Sequence, residues 1–200
     1  MQNKAINKHV KQASAPKRLD RNTRKAQLLQ HAIAAFADAG IERAVHADVA
    51  IRANVSTPTV FKYFPTRDAL VDAVLSDIEV TFANLSGLKA GSIKLKPKEL
   101  THLFADLISA LCINRPNLMK VGLMWSVSFS PIRERYKAFE DMKLDDLENH
   151  LSSVQMSRSD ARIFFSSMNL FIRMHFDGTS SEARLRYIDR LSEMFDSALT

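Results

Sequence analysis

The chain has 200 residues, and its 28 Lys/Arg outnumber its 22 Asp/Glu to leave a net charge of +6; this length suits one large or two small domains. With 46% apolar residues, five Gly and six Pro it is globular rather than disordered, and it has neither a run of about 18 apolar residues to span a membrane nor an apolar stretch behind its basic N-terminus to make a signal peptide. Charge is uneven: residues 1–67 hold twelve Lys/Arg and four Asp/Glu and the remaining 133 hold sixteen and eighteen, the footprint of a nucleic-acid contact rather than of a uniformly basic membrane-surface protein.

Residues 1–17 carry Lys4, Lys8, Lys11 and Lys17 without an apolar period and read as a disordered basic arm. Lys17 and Arg18 stand just before the first helix, where an arm can enter a minor groove; a solvated tail is the competing reading. Asp20 is an N-cap candidate, and Leu28, Leu29, Ala32, Ile33 and Phe36 give the helix that follows one apolar face up to Gly40. Arg21, Arg24 and Lys25 oppose the helix dipole in its first turns, which makes sense beside a phosphate backbone.

Asp48 to Arg67 reads as two short helices and a tight turn. Val49, Ala50 and Ala53 share a helical face, and Asn54 tolerates the positive φ that redirects the chain. Ser56 caps the second helix, Pro58 suits its first turn, Val60, Phe61 and Phe64 are its apolar side, and Pro65 ends it. This is a helix-turn-helix, whose second helix is the one to enter a major groove. Thr57, Pro58 and Thr59 are small enough to approach base edges, and Lys62 can reach guanine or a phosphate. Tyr63, Thr66 and Arg67 are candidates for a phosphate clamp. A buried helical hairpin with solvated Thr and Lys is the bland alternative.

Ala32-x3-Phe36-x3-Gly40-Ile41, followed by Ala47-Asp48-Val49-Ala50, Ala53 to Arg67 and Leu70, resembles the N-terminal domain of the TetR family of transcriptional regulators. His46 to Ala50 with Thr59 to Asp72 is similar to its LuxR/HapR-type branch of quorum-sensing master regulators. The resemblance is dense over 18–75 and thins afterwards, apart from Val121-x3-Trp125-Ser126-x-Ser128. It implies a homodimer, an all-α C-terminal domain and binding to operator DNA. Lys62 stands where that branch carries a polar amide, and Gly122 where it carries a bulky aromatic, implying altered base preference and an altered pocket.

The rest reads as helices. One runs from Arg67 to about Leu85, and Gly87 to Pro97 is a loose connection. The next opens at Pro97 and breaks at Asn114-Arg115-Pro116; Asn117 to Phe129 is apolar. Ser130-Pro131 starts a helix to about Leu151, whose acidic back half (Glu140, Asp141, Asp145, Asp146, Glu148) reads as a solvated face. Ser157-x-x-Asp160 and Thr179-x-x-Glu182 resemble capping boxes for the last two helices. Phe164, Phe165, Phe171, Ile172 and Met174 spread round the first of these, so it is buried on several sides; a four-helix dimer interface from two such hairpins fits this, as the resemblance implies.

The expected organisation is therefore all-α: a basic arm at 1–17, a three-helix DNA-binding domain at 18–67, and a helical-bundle ligand-binding and dimerisation domain at 68–200. Ile78, Phe82, Phe104, Leu107, Met119, Leu123, Trp125, Met168 and Phe171 offer apolar walls for a small apolar ligand, with Asn169 and His175 to orient it; plain core explains each of them singly. No nucleophile elbow, phosphate loop or dinucleotide fingerprint is present, and the histidines at 9, 31, 46, 102, 150 and 175 show no metal-ligand spacing, so neither enzyme, metal nor cofactor is expected. The lone Cys112 has apolar neighbours and reads as core, in keeping with a reducing cytoplasm. The expected function is a cytoplasmic, dimeric regulator of transcription on a pseudo-palindromic duplex. The alternative is a small-molecule-binding or interaction protein with no specific DNA target.

Overall fold

A computed structural model describes residues 20–86, 95–129, 131–150 and 156–199. The expected arm with Lys17 and Arg18, most of the 87–97 connection and the helix end near residue 151 lie outside them. Among the described residues there are nine helices and no strand. They are α1 Arg21–Ala39, α2 His46–Ala53, α3 Thr57–Phe61, α4 Arg67–Ser86, α5 Pro97–Asn114, α6 Pro116–Ser126, α7 Ile132–His150, α8 Arg158–Phe176 and α9 Ser181–Ala198.

Local chemistry sets most boundaries. Asp20 accepts from the backbone N–H groups of Asn22 and Thr23 and starts α1. Gly40 ends it at φ 89°. Asn54 closes α2 at φ 50° and ψ 51°, the left-handed conformation that lets a short turn re-aim the chain into α3. Pro97 and Pro116 sit in the first turns of α5 and α6, where a missing N–H does no harm. Ser157 and Asp160 satisfy each other's backbone N–H groups at the start of α8. The second expected box is displaced by one residue: Ser180 caps α9 by accepting from the Ala183 N–H, while Thr179 is held by Asp177.

Two apolar clusters hold the helices together. The first joins Leu28, Ala32 and Phe36 of α1 to Val49, Val60 and Phe64, then continues through Leu70, Val74 and Ile78 of α4 to Leu118, Val121 and Trp125 of α6 and Tyr136 and Phe139 of α7. The expected boundary at residue 67 thus falls inside a continuous core. The second cluster gathers Ile108 and Cys112 of α5, Phe164, Met168 and Phe171 of α8, and Ile188, Leu191 and Phe195 of α9. Burial pushes the Cys112 thiol up to about 12, so it stays protonated and is inert core.

Ion pairs fasten the outside of this frame. Arg115 at the α5–α6 junction reaches Asp77 and Thr81 of α4, both at 2.5 Å. Arg135 of α7 reaches Asp72, Ser76 and Glu79 of the same helix at 2.6–2.9 Å. The acidic half of α7 is not simply solvated: Arg158 of α8 pairs with Asp141, Asp145 and Glu148, and Arg162 lies 3.8 Å from Glu140. None of the helices among the described residues is long and apolar enough to cross a membrane.

Candidate nucleic-acid interface and cavities

The helix-turn-helix is built around α3. Val60 and Phe64 are buried against α1 and α2. That orientation leaves Pro58 and Lys62 exposed and Thr57 and Thr59 half-buried on the outer edge. Ser56 Oγ and Thr59 Oγ1 lie 2.8 Å apart, so one hydroxyl donates to the other. Thr57 to Thr59 therefore present small groups with hydrogen-bonding capacity. Lys62 follows the last turn with helical φ −60° and ψ −28°, which extends the same edge.

Phe61 departs from the expectation. It is 45% exposed rather than core, and its ring stacks on His46 at 4.0 Å. His46 is buried at the start of α2, and its Nε2 lies 2.7 Å from the Phe64 carbonyl oxygen. A carbonyl can only accept, so Nε2 carries the proton and the ring straps α2 to the end of α3. Sequence patterning missed this role. The only signal was a polar residue opening a helix opposite two phenylalanines.

Arg67 Nη2 donates to the carbonyl oxygens of Ile41 and Glu42 at 2.6 and 2.7 Å. Through Nη2 the guanidinium ties the start of α4 to the α1–α2 loop. Thr66 accepts from the Ala69 N–H at 3.1 Å and caps α4 while remaining exposed. Tyr63 is half-buried against the first cluster.

The remaining cations sort into two groups. Arg43 donates to the Ala39 carbonyl oxygen and Arg52 pairs with Asp38. By contrast Arg21, Arg24, Lys25 and Lys62 have no carboxylate within 4 Å among the described residues. Lys25 Nζ sits 5.8 Å from the centre of the Phe64 ring, which brings the start of α1 beside the end of α3.

The residues expected to wall an apolar pocket lie in or beside the two clusters. Ile78 and Trp125 belong to the first cluster, Met119, Met168 and Phe171 to the second, and Phe82 borders both. Phe104 and Leu123 lean on the second cluster and Leu107 is half-buried. Trp125 stacks on Phe139 and donates Nε1–H to the Ile132 carbonyl oxygen at 3.1 Å. His175 lies edge-on to Phe171, with Nδ1 3.0 Å from that residue's carbonyl oxygen on its own helix. Asn169 does line a cavity, but a polar one of about 280 Å³ with Ser126, Arg133, Tyr136, Glu140, Ser166, Leu170 and Arg173. A second cavity, of about 220 Å³, lies between α1 and the α5–α6 junction around Gln30, Asn114 and Asn117.

Residues 28–74 match the family described as bacterial regulatory proteins, tetR family. Over these residues the chain is similar to the TetR family. The HTH-type transcriptional regulator LuxR of Vibrio harveyi is 38% identical over 115 residues, 56% of this chain and 54% of that protein. The chain thus spans about half the length of this curated relative. Among solved structures, Salmonella enterica GusR superposes with a TM-score of 0.70 at 14% identity, covering 92% of this chain and 99% of that one. A SmeT–triclosan complex gives 0.62 at 17% identity over 88% and 91%. At such identities these structures speak for the TetR-like fold and no more. Their coverage extends the likeness across α4 to α9, where the sequence resemblance thins.

Proposed function

We propose that the chain is a sequence-specific DNA-binding regulator of transcription that acts as a homodimer on a pseudo-palindromic operator, in quorum-sensing-type gene control as its likeness to LuxR suggests. The observation that carries this is the outer edge of α3, Thr57, Pro58, Thr59 and Lys62, on a domain whose Arg21, Arg24 and Lys25 have no carboxylate within 4 Å among the described residues. Thr57, Thr59 and Lys62 read base edges; the α1 cations, Thr66 and Tyr63 hold the phosphate backbone and fix the register. Lys17 and Arg18 extend the contact into the minor groove.

The dimer forms through α8 and α9. Ile163 and Leu170 on α8 and Leu185 and Met194 on α9 are 44–57% exposed, and an isologous four-helix packing covers them. Two copies then present their α3 helices about one DNA turn (~34–36 Å) or a multiple apart. A small ligand modulates the complex, in keeping with the triclosan held by SmeT.

Selection from random duplexes by the purified protein, with its mass in solution measured alongside, tests this. A dimer that enriches a pseudo-palindrome is expected. A monomer, or weak salt-labile binding without sequence enrichment, would instead favour a helical ligand-binding protein that has no DNA target.

A further inference from the structure

The cavity between α6, α7 and α8 has a chemistry unlike that of the apolar core beneath it. Arg133 of α7 and Arg173 of α8 both line it, and neither has a carboxylate within 4 Å among the described residues. Of the other arginines of the body, Arg115, Arg135, Arg158, Arg162, Arg186 and Arg190 each have one, and Arg184 is held instead by the Thr179 carbonyl oxygen and the Ser181 hydroxyl. Arg133 Nη1 donates to the Ser126 carbonyl oxygen at 2.5 Å, and its guanidinium lies 5.7 Å from the Tyr136 ring centre, so the side chain is positioned rather than free. Tyr136 is 5% exposed, and its hydroxyl accepts from the Asn169 amide at 3.2 Å. The Ser166 hydroxyl adds to the wall, while that of Ser126 donates to the Leu123 carbonyl oxygen at 2.6 Å. A single acidic residue, Glu140, faces them, and it leans on Arg162.

We propose that this cavity is a binding site for a small carboxylate that also carries a hydrogen-bond donor, of the α-hydroxy or α-amino acid class. The two unpaired guanidiniums take the carboxylate, because planar N–H forks match its two oxygens. Glu140 accepts from the ligand's hydroxyl or ammonium group, which explains an acid among arginines. A volume of about 280 Å³ sits at the small end for ligand sites, so the occupant is compact. Leu170 at the lip belongs to the α8 stripe of the proposed dimer, so the site opens beside that seam. Between Arg133 and Tyr136 in sequence, Arg135 ties α7 to α4, the helix that begins at the DNA-binding end. An occupant would therefore act on DNA affinity; that consequence rests on the proposed function, whereas binding itself does not.

Calorimetric titration of the DNA-free, full-length protein with lactate, serine and neutral lactamide separates the two. Saturation by lactate or serine below about 50 mM is expected, with none by lactamide. Arg133→Gln and Arg173→Gln should each weaken binding at least about tenfold, and Arg186→Gln, on the surface of α9, should not. No saturation by either acid, equal binding of lactamide, or wild-type affinity in either cavity variant overturns the assignment, whatever the protein does with DNA.

Discussion

Around α4 the body satisfies its cations from within: Arg115 finds Asp77, and Arg135 finds Asp72 and Glu79. At the start of α1 and the end of α3 the same chain leaves Arg21, Arg24, Lys25 and Lys62 without carboxylates among the described residues. The difference lies in what each can still bind. A guanidinium already forked onto a carboxylate gains little from a phosphate, while an unpaired one releases counterions when it meets the DNA backbone. Charge count alone does not separate the regions. Arg67 lies within the basic third, yet it is engaged on the carbonyl oxygens of Ile41 and Glu42.

The comparison breaks most visibly at the shared core. Trp125 is fully buried where α6 meets α7, in the cluster that begins at α1. Trp125→Ala should cost about 3–5 kcal/mol in urea unfolding, and helix-turn-helix and body should unfold together; a separate, unchanged transition for the N-terminal helices would show two independent cores. Next, Asn54→Val should lose about 1–2 kcal/mol because a β-branched residue resists φ 50°, while Asn54→Gly should stay close to wild type. Equal losses would mean that the Asn54 side chain, not its backbone, matters.

Two smaller effects sharpen the contrast between free and engaged cations. Arg24→Ala should reduce the salt dependence of duplex binding by about one unit of log–log slope, and Arg67→Ala should lower thermal stability. Smallest is a pH effect at the cap of α1. The Asp20 carboxyl is held below its ordinary value of 3.8 by the hydroxyl and backbone N–H of Thr23. Its contribution to stability is therefore complete above that value and lost as pH falls through the lower folded one. Asp20→Asn keeps the cap and should flatten the acid limb of the unfolding curve, which circular dichroism between about pH 5 and pH 2 would register.

Much of the fold was legible because its signals are local. Asp20 and Gly40 bound α1, Asn54 makes the turn, and Pro97, Pro116 and the Ser157–Asp160 pair open three later helices. Such features act within a few residues, and a sequence displays them directly. What failed was long-range. Periodicity marks Trp125 and Met168 as buried but does not say that they face different clusters. It also cannot tell that Arg67 turns back to the α1–α2 loop, that Phe61 leaves the core to lie on His46, or that Arg158 crosses to the acids of α7. The cap of α9 was displaced by one residue because Thr179 and Ser180 offer the same hydroxyl chemistry and only the Asp177 contact separates them. The polar cavity went unseen because a search for apolar stripes passes over Arg133 and Arg173.

The central claim is that the exposed edge of α3 reads DNA. Its most direct test is selection from random duplexes at about 0.15 M salt, run side by side with the wild-type protein and Lys62→Ala. Both should enrich a pseudo-palindrome, with a changed preference at symmetric positions in the variant. An identical motif bound more weakly everywhere would reduce Lys62 to a phosphate contact, and no enriched motif from the wild type would contradict the account itself.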